Sequence, residues 1–174
     1  MHQHMVLLQR TALINGIPVK LEITELQEPK IEKVMVTVEG GGFGKREVWV
    51  GMEAMSDAKF TLKGATPKLM ASLGLHNGQK VPVNILDSLQ DGKGTQYKIE
   101  HNWEGDLKSA AETGAKATGG DSAMSARELV FAALDEAEKI VNGKVEYRCN
   151  AIIDEYDLGD GDVMLNHRRS TGQP

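Results

Sequence analysis

Cysteine is almost absent from the 174 residues, and the single one, Cys149, excludes an intramolecular disulfide and a metal site built from several cysteines. Long apolar runs are also missing: no stretch approaches the roughly 18 apolar residues of a membrane helix, so no membrane insertion is predicted. Basic residues are outnumbered, with 20 Lys and Arg against 25 Asp and Glu, and the formal charge of −5 argues against tight binding to nucleic acid. The remaining composition, 40% hydrophobic and 26% charged, predicts one folded domain over 1–174.

Apolar and polar residues alternate with a period of two in several segments, which predicts strands buried on one face. Asn15-Gly16 is a favoured two-residue hairpin turn and predicts that 5–14 and 17–25 pair with each other. The longest alternating run extends from Glu47 to Leu62. It predicts one long strand whose even-numbered positions face the core and whose odd-numbered positions are mostly polar.

Two further alternating segments, 81–85 and 97–103, flank a glycine-containing turn at 91–94 and predict a second hairpin. A last strand is predicted at 145–153, with a bulge near Asp154-Glu155. Many strands joined by glycine-rich turns predict a mainly β (α+β) fold, an antiparallel β-sandwich or barrel.

Two helices are predicted within this β framework. Residues 66–74 begin with Thr-Pro and end in Gly, which is typical of a short helix. Ser125 and Glu128 form a capping box at the start of a second, amphipathic helix that ends at Gly143. Its apolar stripe consists of Val130, Leu134, Ala137 and Val141. Because 105–121 is rich in small and polar residues, it is predicted to be a flexible linker leading into this helix.

Motifs that suggest a ligand have simpler interpretations. The glycine-rich segment 40–44 lacks the Gly-Lys-Ser/Thr ending of a phosphate loop, and favours a surface loop between two strands. The acidic turn at 157–162 misses the spacing of a helical calcium loop. His2 and His4 lie at a terminus, where histidine pairs are usually incidental.

Nucleophilic chemistry has no recognisable motif in the sequence. Cys149 falls on the predicted core face of its strand, where a thiol acts as a small hydrophobe. His101 alternates with apolar residues and is predicted to be a partly buried histidine. No catalytic residue, cofactor or metal ligand is predicted, and the protein is not expected to be an enzyme.

Residues 38–62 (VEGGGFGKREVWVGMEAMSDAKFTL) resemble the major tail tube proteins of contractile-tailed phages and R-type pyocins. The resemblance rests on a triple-glycine loop, a strand containing Gly-Met-Glu-Ala-Met, and an alternating Ala-Lys-Phe-Thr run. Shorter matches lie at 26–31, 73–75, 81–83, 103–104 and 156–158. The resemblance is strong over 10–105 and thinner over 144–165. Residues 106–143 look inserted, and 166–174 replace the helical tail of the family.

The resemblance implies a structural virion protein that forms homohexameric rings, stacked into the hollow tube of a contractile tail, through which DNA is ejected into the host. The implied partners are other copies of the chain, the tail sheath protein, baseplate and tail terminator proteins, a tape measure protein in the lumen, and double-stranded DNA that passes without tight binding. Assembly would take place in the cytoplasm of the host bacterium. A type VI secretion or pyocin-like tube protein and a monomeric small-ligand-binding β-barrel remain open as alternatives.

Three surfaces are predicted for such a tube. The first is an inter-ring contact loop, formed by Gly40, Gly41, Gly42, Phe43, Gly44 and Lys45. The second is a lumen lining drawn from polar strand faces, with Glu53, Asp57, Lys59, Glu146 and Asp154 as candidates. The third is the outer wall, on which the helix predicted within 106–143 would present Arg127, Glu128, Glu136 and Lys139 to the sheath.

Overall fold

The structure is a computed structural model that describes residues 5–19, 23–40, 44–65, 67–73, 79–113, 126–165, 169–170 and 172. Its elements in chain order are β1 Val6–Ile14, β2 Ile17–Val19, β3 Ile23–Gln27, β4 Ile31–Glu39, β5 Lys45–Met55, β6 Ala58–Lys63, α1 Pro67–Ser72, β7 Val81–Gln90, β8 Gln96–Thr113, β9 Ala126–Val141, β10 Lys144–Asn150 and β11 Glu155–Asp157. This composition confirms the mainly β prediction.

Nine strands form one antiparallel sheet in the order β11-β10-β9-β8-β7-β1-β2, and β6 adds to β9 and β3 to β6. The long strand β9 makes this branching possible. Its first half, 126–131, pairs with β6, whereas its second half, 136–141, pairs with β10. Among the described strands the order ends at β2 and β11, so the sheet is open rather than a closed barrel. β4 and β5 form a separate two-stranded sheet.

The core lies on one face of the large sheet and is formed by buried side chains of β1, β6, β7, β8, β9 and α1. Phe60 of β6 is at its centre, with ring centroids 5.6 Å from Phe131 and 6.2 Å from Trp103. The largest fully buried side chains are Phe60, Phe131, Ile14, Leu62, Met70, Leu73, Ile85, Leu129 and Val83.

The two hairpins and the short helix that the sequence predicts are present. Asn15 and Gly16 have φ angles of 52° and 74°, the left-handed conformation that a tight hairpin turn requires. β1 pairs with β2 across this turn, but the second strand is shorter than the predicted 17–25: 20–22 lie outside the described residues, and Ile23 begins β3, which pairs with β6. β7 and β8 pair throughout the length of β7. α1 occupies the predicted position.

The amphipathic helix predicted at 125–143 is wrong, because this segment is strand β9. Ala133 has a φ of 48° and lies in a bulge opposite Gly105 of β8. The extra residues of the bulge shift which positions of β9 face the core. Leu134 and Ala137, which are three positions apart, are therefore both buried. A bulged strand therefore imitates the spacing of an apolar helix stripe.

The related prediction, that 106–143 carries a helical decoration, is also wrong, because 126–141 form strand β9. Residues 106–113, predicted to belong to a linker, continue β8 and pair with 126–132 of β9. Leu129 and Phe131 are fully buried in the core. Of the residues expected to face a sheath, Arg127 lies opposite Glu112 in this sheet, with 3.8 Å between the charged groups. The remaining part, 114–125, lies outside the described residues.

The single long strand predicted from 47 to 62 is divided in two. β5 ends at Met55, and β6 begins at Ala58 in a different sheet. The even-numbered positions are buried in β6, as predicted, but Val48 and Val50 of β5 are exposed. The strand predicted at 145–153 also ends early, since a turn over 151–154 folds β11 back onto β10.

Candidate functional site

The hairpin of β4 and β5, called here the ribbon (Ile31–Met55), forms a sheet of its own beside the large sheet. Six large apolar side chains of the ribbon are between 37% and 46% exposed: Met35, Val36, Val38, Val48, Trp49 and Val50. They occupy both of its faces, because Val36 lies opposite Val48 and Met35 lies opposite Trp49 on the adjacent positions. A two-stranded hairpin is only marginally stable in water by itself. This ribbon therefore needs a covering surface on both sides.

The tip of the ribbon carries the glycine-rich loop. Glu39 and Lys45 end the two strands with a 2.8 Å ion pair, and Gly44 has a φ of 66°. The predicted contact loop therefore lies at the far end of an exposed apolar hairpin, although Gly41, Gly42 and Phe43 are outside the described residues.

The base of the ribbon is joined to the subunit by polar contacts. Lys30 and Ser56 exchange two hydrogen bonds of 2.8 Å: the Lys30 amide donates to the Ser56 hydroxyl, and the Ser56 amide donates to the Lys30 carbonyl. Glu28, just before β4, lies 3.3 Å from the ammonium group of Lys139 and 3.6 Å from the Nδ1 atom of His101. The Lys30–Ser56 pair thus joins the two ends of the ribbon to each other, and the contacts of Glu28 link the start of the ribbon to the centre of the large sheet.

An open sheet edge lies on β1. Its residues 12–14 pair with β2, but in the described structure 6–11 pair with β7 alone. The exposed apolar residues of this end are Met5, Val6, Leu7 and Leu8, between 44% and 60% exposed. Unpaired backbone groups beside apolar side chains are a ready template for strand pairing with another chain.

The face of the large sheet opposite the core is acidic. By register, Glu104 lies directly opposite Glu136, and Asn102 lies opposite Glu138. A ladder of side-chain hydrogen bonds crosses four strands here: Asn84 donates to Asn102, Asn102 donates to Glu138 over 3.2 Å, and the Nε atom of Arg148 donates to Glu138 over 2.8 Å. We call this surface the acidic face, formed by Glu100, Asn102, Glu104, Glu136 and Glu138.

The candidate lumen residues lie outside the acidic face, and three of them form ion pairs within the subunit. Asp57 pairs with Lys108 at 2.8 Å, Lys59 with Glu128 at 3.9 Å, and Glu146 with Lys139 at 3.2 Å. Asp154 lies in the turn after β10 with a φ of 50°, and Glu53 lies in the ribbon, opposite Lys33. The side chain of Glu53 is outside the described parts.

Sequence reasoning missed the acidic face, although a signal was present. In the strand predicted at 97–103, the positions between the core residues include Glu100 and Asn102, followed by Glu104. The other half of the face was hidden because Glu136 and Glu138 were assigned to a helix.

The remaining motifs have structural roles. Cys149 is 6% exposed, as predicted for a core thiol. The carboxylate of Asp157 accepts hydrogen bonds from the amides of Gly159 and Gly161, and that of Asp162 accepts from the amide of Tyr156. The acidic side chains of this turn therefore stabilise its backbone conformation. His2 and His4 lie outside the described residues.

The described ranges hold few features of a metal site or a membrane span. No group of three or more His, Cys, Asp or Glu side chains is arranged to hold a metal ion among those residues. None of the helices there is long and apolar enough to cross a membrane.

An exposed apolar ribbon and an open sheet edge are features typical of a subunit that assembles with other chains. The chain belongs to the phage tail tube protein FII family, whose model matches residues 5–172. None of the curated proteins matches it. Its architecture agrees with this membership, and the tail tube role of the family is structural rather than enzymatic.

Two solved structures are similar to this chain, and the first of them shares its fold. A chain in the cryo-EM structure of the anti-feeding prophage baseplate, 6-fold symmetrised, is 11% identical, with a TM-score of 0.50 over 80% of this chain and 94% of that chain. A chain in the sheath-tube complex of an extracellular contractile injection system in its extended state is 16% identical, with a TM-score of 0.45 over 77% of this chain and 88% of that chain.

Proposed function

We propose that 1–174 forms one domain that polymerises as stacked hexameric rings into the inner tube of a contractile phage tail, through which DNA passes into the host. The observation that carries this proposal is the ribbon, whose two apolar faces are exposed in the isolated subunit. The proposed partners are the sheath, baseplate, terminator and tape measure proteins. The site of assembly is the cytoplasm of the host bacterium, and the mature location is the virion tail.

The ribbon suits a position between neighbouring subunits, because a neighbour on each side would bury both of its faces. A closed ring supplies such neighbours to every subunit by symmetry. The glycine-rich loop, 40–45, would then reach an adjacent ring from the tip of the ribbon. The open edge of β1 offers a second contact, in which a strand of the next subunit continues the large sheet.

The acidic face is our preferred lining of the lumen. Glu104 and Glu136 lie side by side on it and repel the phosphates of DNA, which lets the duplex pass without adhering to the wall, whereas Glu100 pairs with Lys98 and Glu138 with Arg148. The scattered set of Glu53, Asp57, Lys59, Glu146 and Asp154 stays a prediction. Asp57 and Glu146 each pair with a cation within the subunit, and Lys59 is itself a cation, so these three contribute little net negative field.

A purified sample tests the proposal directly. We expect electron microscopy of concentrated protein to show hollow tubes, and sedimentation to show large assemblies. Replacing 40–44 with Asn-Gly, a turn that closes a two-residue hairpin, should keep the ribbon folded and the subunit soluble while preventing ring stacking. A protein that remains monomeric at every concentration would contradict the proposal and favour the small-ligand-binding alternative.

The lumen assignment needs a separate test. Reversing the charge of Glu104 and Glu136 to lysine should allow tubes to form but make them retain DNA in a salt-dependent way. The matched control reverses Asp57 and Glu146, and should retain little DNA. DNA retention by the control tubes alone would show that the scattered set lines the lumen.

A further inference from the structure

His101 is buried between two carboxylates. Its side chain is 4% exposed on the core face of β8; Nε2 lies 3.6 Å from an oxygen of Asp87, and Nδ1 lies 3.6 Å from an oxygen of Glu28. Within the described part of the chain, Nδ1 has no hydrogen-bond partner. An imidazole with an acid at each nitrogen is suited to respond to protons.

The neighbouring charges balance when His101 is protonated. Asp87 accepts two hydrogen bonds from Arg10 of β1, at 2.6 and 2.5 Å. Lys139 of β9 lies between Glu28 at 3.3 Å and Glu146 of β10 at 3.2 Å. The cluster thus holds three carboxylates and two permanent cations. A proton on His101 supplies the third positive charge.

Two other groups confirm that the surroundings are strongly charged. Although burial acts to lower it, the carboxylates of Glu28 and Glu146 hold the pKa of Lys139 above its usual value. Burial, together with the same two carboxylates, raises the pKa of Tyr147 of β10, so its hydroxyl stays neutral beside the cluster.

The chemistry of imidazole distinguishes the two protonation states. Neutral imidazole carries one N–H group, so it can donate to one carboxylate but must present a lone pair to the other. Imidazolium donates from both nitrogens and can bind Asp87 and Glu28 together. Asp87 is held by two hydrogen bonds from Arg10, whereas Glu28 is held by a single 3.3 Å ion pair with Lys139, so the contact of Glu28 depends more on the protonation of His101.

Glu28 belongs to the link that joins β3 to β4, at the base of the ribbon. We propose that His101 is a proton-dependent positioning residue: in its protonated form it binds Glu28 and fixes the ribbon against the large sheet, and in its neutral form it releases it. The consequence of this inference rests on the proposed function: because the chain forms a tube, assembly of the tube depends on pH. Assembly is favoured while His101 is protonated and weakens when the imidazole loses its proton.

The first experiment follows the subunit alone, below the concentration at which it associates. Nuclear magnetic resonance measures the chemical shifts of the ribbon amides and of the His101 imidazole from about pH 5 to 8, the range in which histidine ordinarily titrates. We expect ribbon amides to shift together with the imidazole. His101→Gln and Glu28→Gln should abolish this shared titration. Glu32→Gln, an exposed change within the ribbon, is the matched control and should retain it.

The second experiment measures the concentration at which tubes form across the same pH range. We expect this concentration to rise about tenfold from pH 5 to 8 in the parent chain and Glu32→Gln, but to stay flat in Glu28→Gln. If His101→Gln fails to fold, Glu28→Gln carries the comparison, because Glu28 is 35% exposed. An imidazole that titrates without moving the ribbon, or that does not titrate, overturns the inference. Coupled titration with no tubes at any pH supports it and refutes the proposed function.

Discussion

Trp49→Glu tests whether the ribbon is an assembly surface. Trp49 is 41% exposed on β5, opposite Met35, and the ammonium group of Lys33 lies 4.8 Å from its ring. Because the part of the ring that is not exposed packs within the subunit, we expect the free energy of unfolding to fall by about 0.5–3 kcal/mol while the subunit stays folded. Assembly should weaken as well.

The size of that response follows from the exposed area. A tryptophan can bury up to roughly 250 Å², so the 41% still exposed amounts to about 100 Å² available to a neighbour. At about 25 cal/mol per Å², covering it contributes about 2.5 kcal/mol per contact. Losing this contribution weakens each contact about 70-fold. Burial of the new carboxylate adds a further cost.

Sedimentation velocity and light scattering measure the assembly, and urea denaturation measures the subunit. Trp49→Phe is the matched control, because it keeps an aromatic ring at the position and should assemble at a concentration close to that of the parent chain. Tubes formed by Trp49→Glu at the parent concentration would refute the reasoning. So would unfolding of the Trp49→Glu subunit, which would show that the ribbon belongs to its stabilising core.

Three further predictions concern the subunit. Phe131→Ala should lower the free energy of unfolding by about 3–5 kcal/mol in a denaturation experiment, because β9 is core; a negligible loss would contradict the strand assignment. Gly105→Ala should cost about 1–3 kcal/mol, since the added Cβ would lie 2.4 Å from a side-chain carbon opposite it, whereas Gly92→Ala, with open space around it, should cost much less; equal losses would contradict this packing. Although burial opposes it, Arg10 together with His101 lowers the pKa of Asp87. This carboxylate therefore stabilises the fold above its unfolded pKa of about 3.9, and that stability disappears as pH falls through the lower pKa of the folded state. Arg10→Met should cost about 3–5 kcal/mol of unfolding free energy at pH 7 and progressively less in acid, and a pH-independent loss would contradict the role of the ion pair.

Local turn chemistry allowed much of the fold to be predicted. Asn15-Gly16 and the turn at 91–94 specify tight reversals through backbone conformation alone, and both hairpins are present. Asn142-Gly143 carries the same signal, with φ angles of 50° and 78° between β9 and β10. It was interpreted as the end of a helix because the bulge at Ala133 gave the preceding apolar residues a helical spacing. Turn residues were more informative here than periodicity.

The ribbon shows a different limit of sequence reasoning. Alternation continues from Val48 to Leu62, but it does not reveal that Ser56 and Asp57 interrupt the strand and direct its two halves into different sheets. Apolar residues at Val48 and Val50 look the same whether they face their own core or a neighbouring subunit. The exposed ribbon could therefore be recognised only from the tertiary structure, whereas its glycine-rich tip was selected from the sequence.

A cryo-EM reconstruction of the assembled protein tests the central claim most directly. The account predicts stacked hexameric rings in which each ribbon is covered on both faces by neighbouring subunits, and in which Glu104 and Glu136 of the acidic face line the lumen. An assembly whose ribbons remain exposed to solvent would contradict the account.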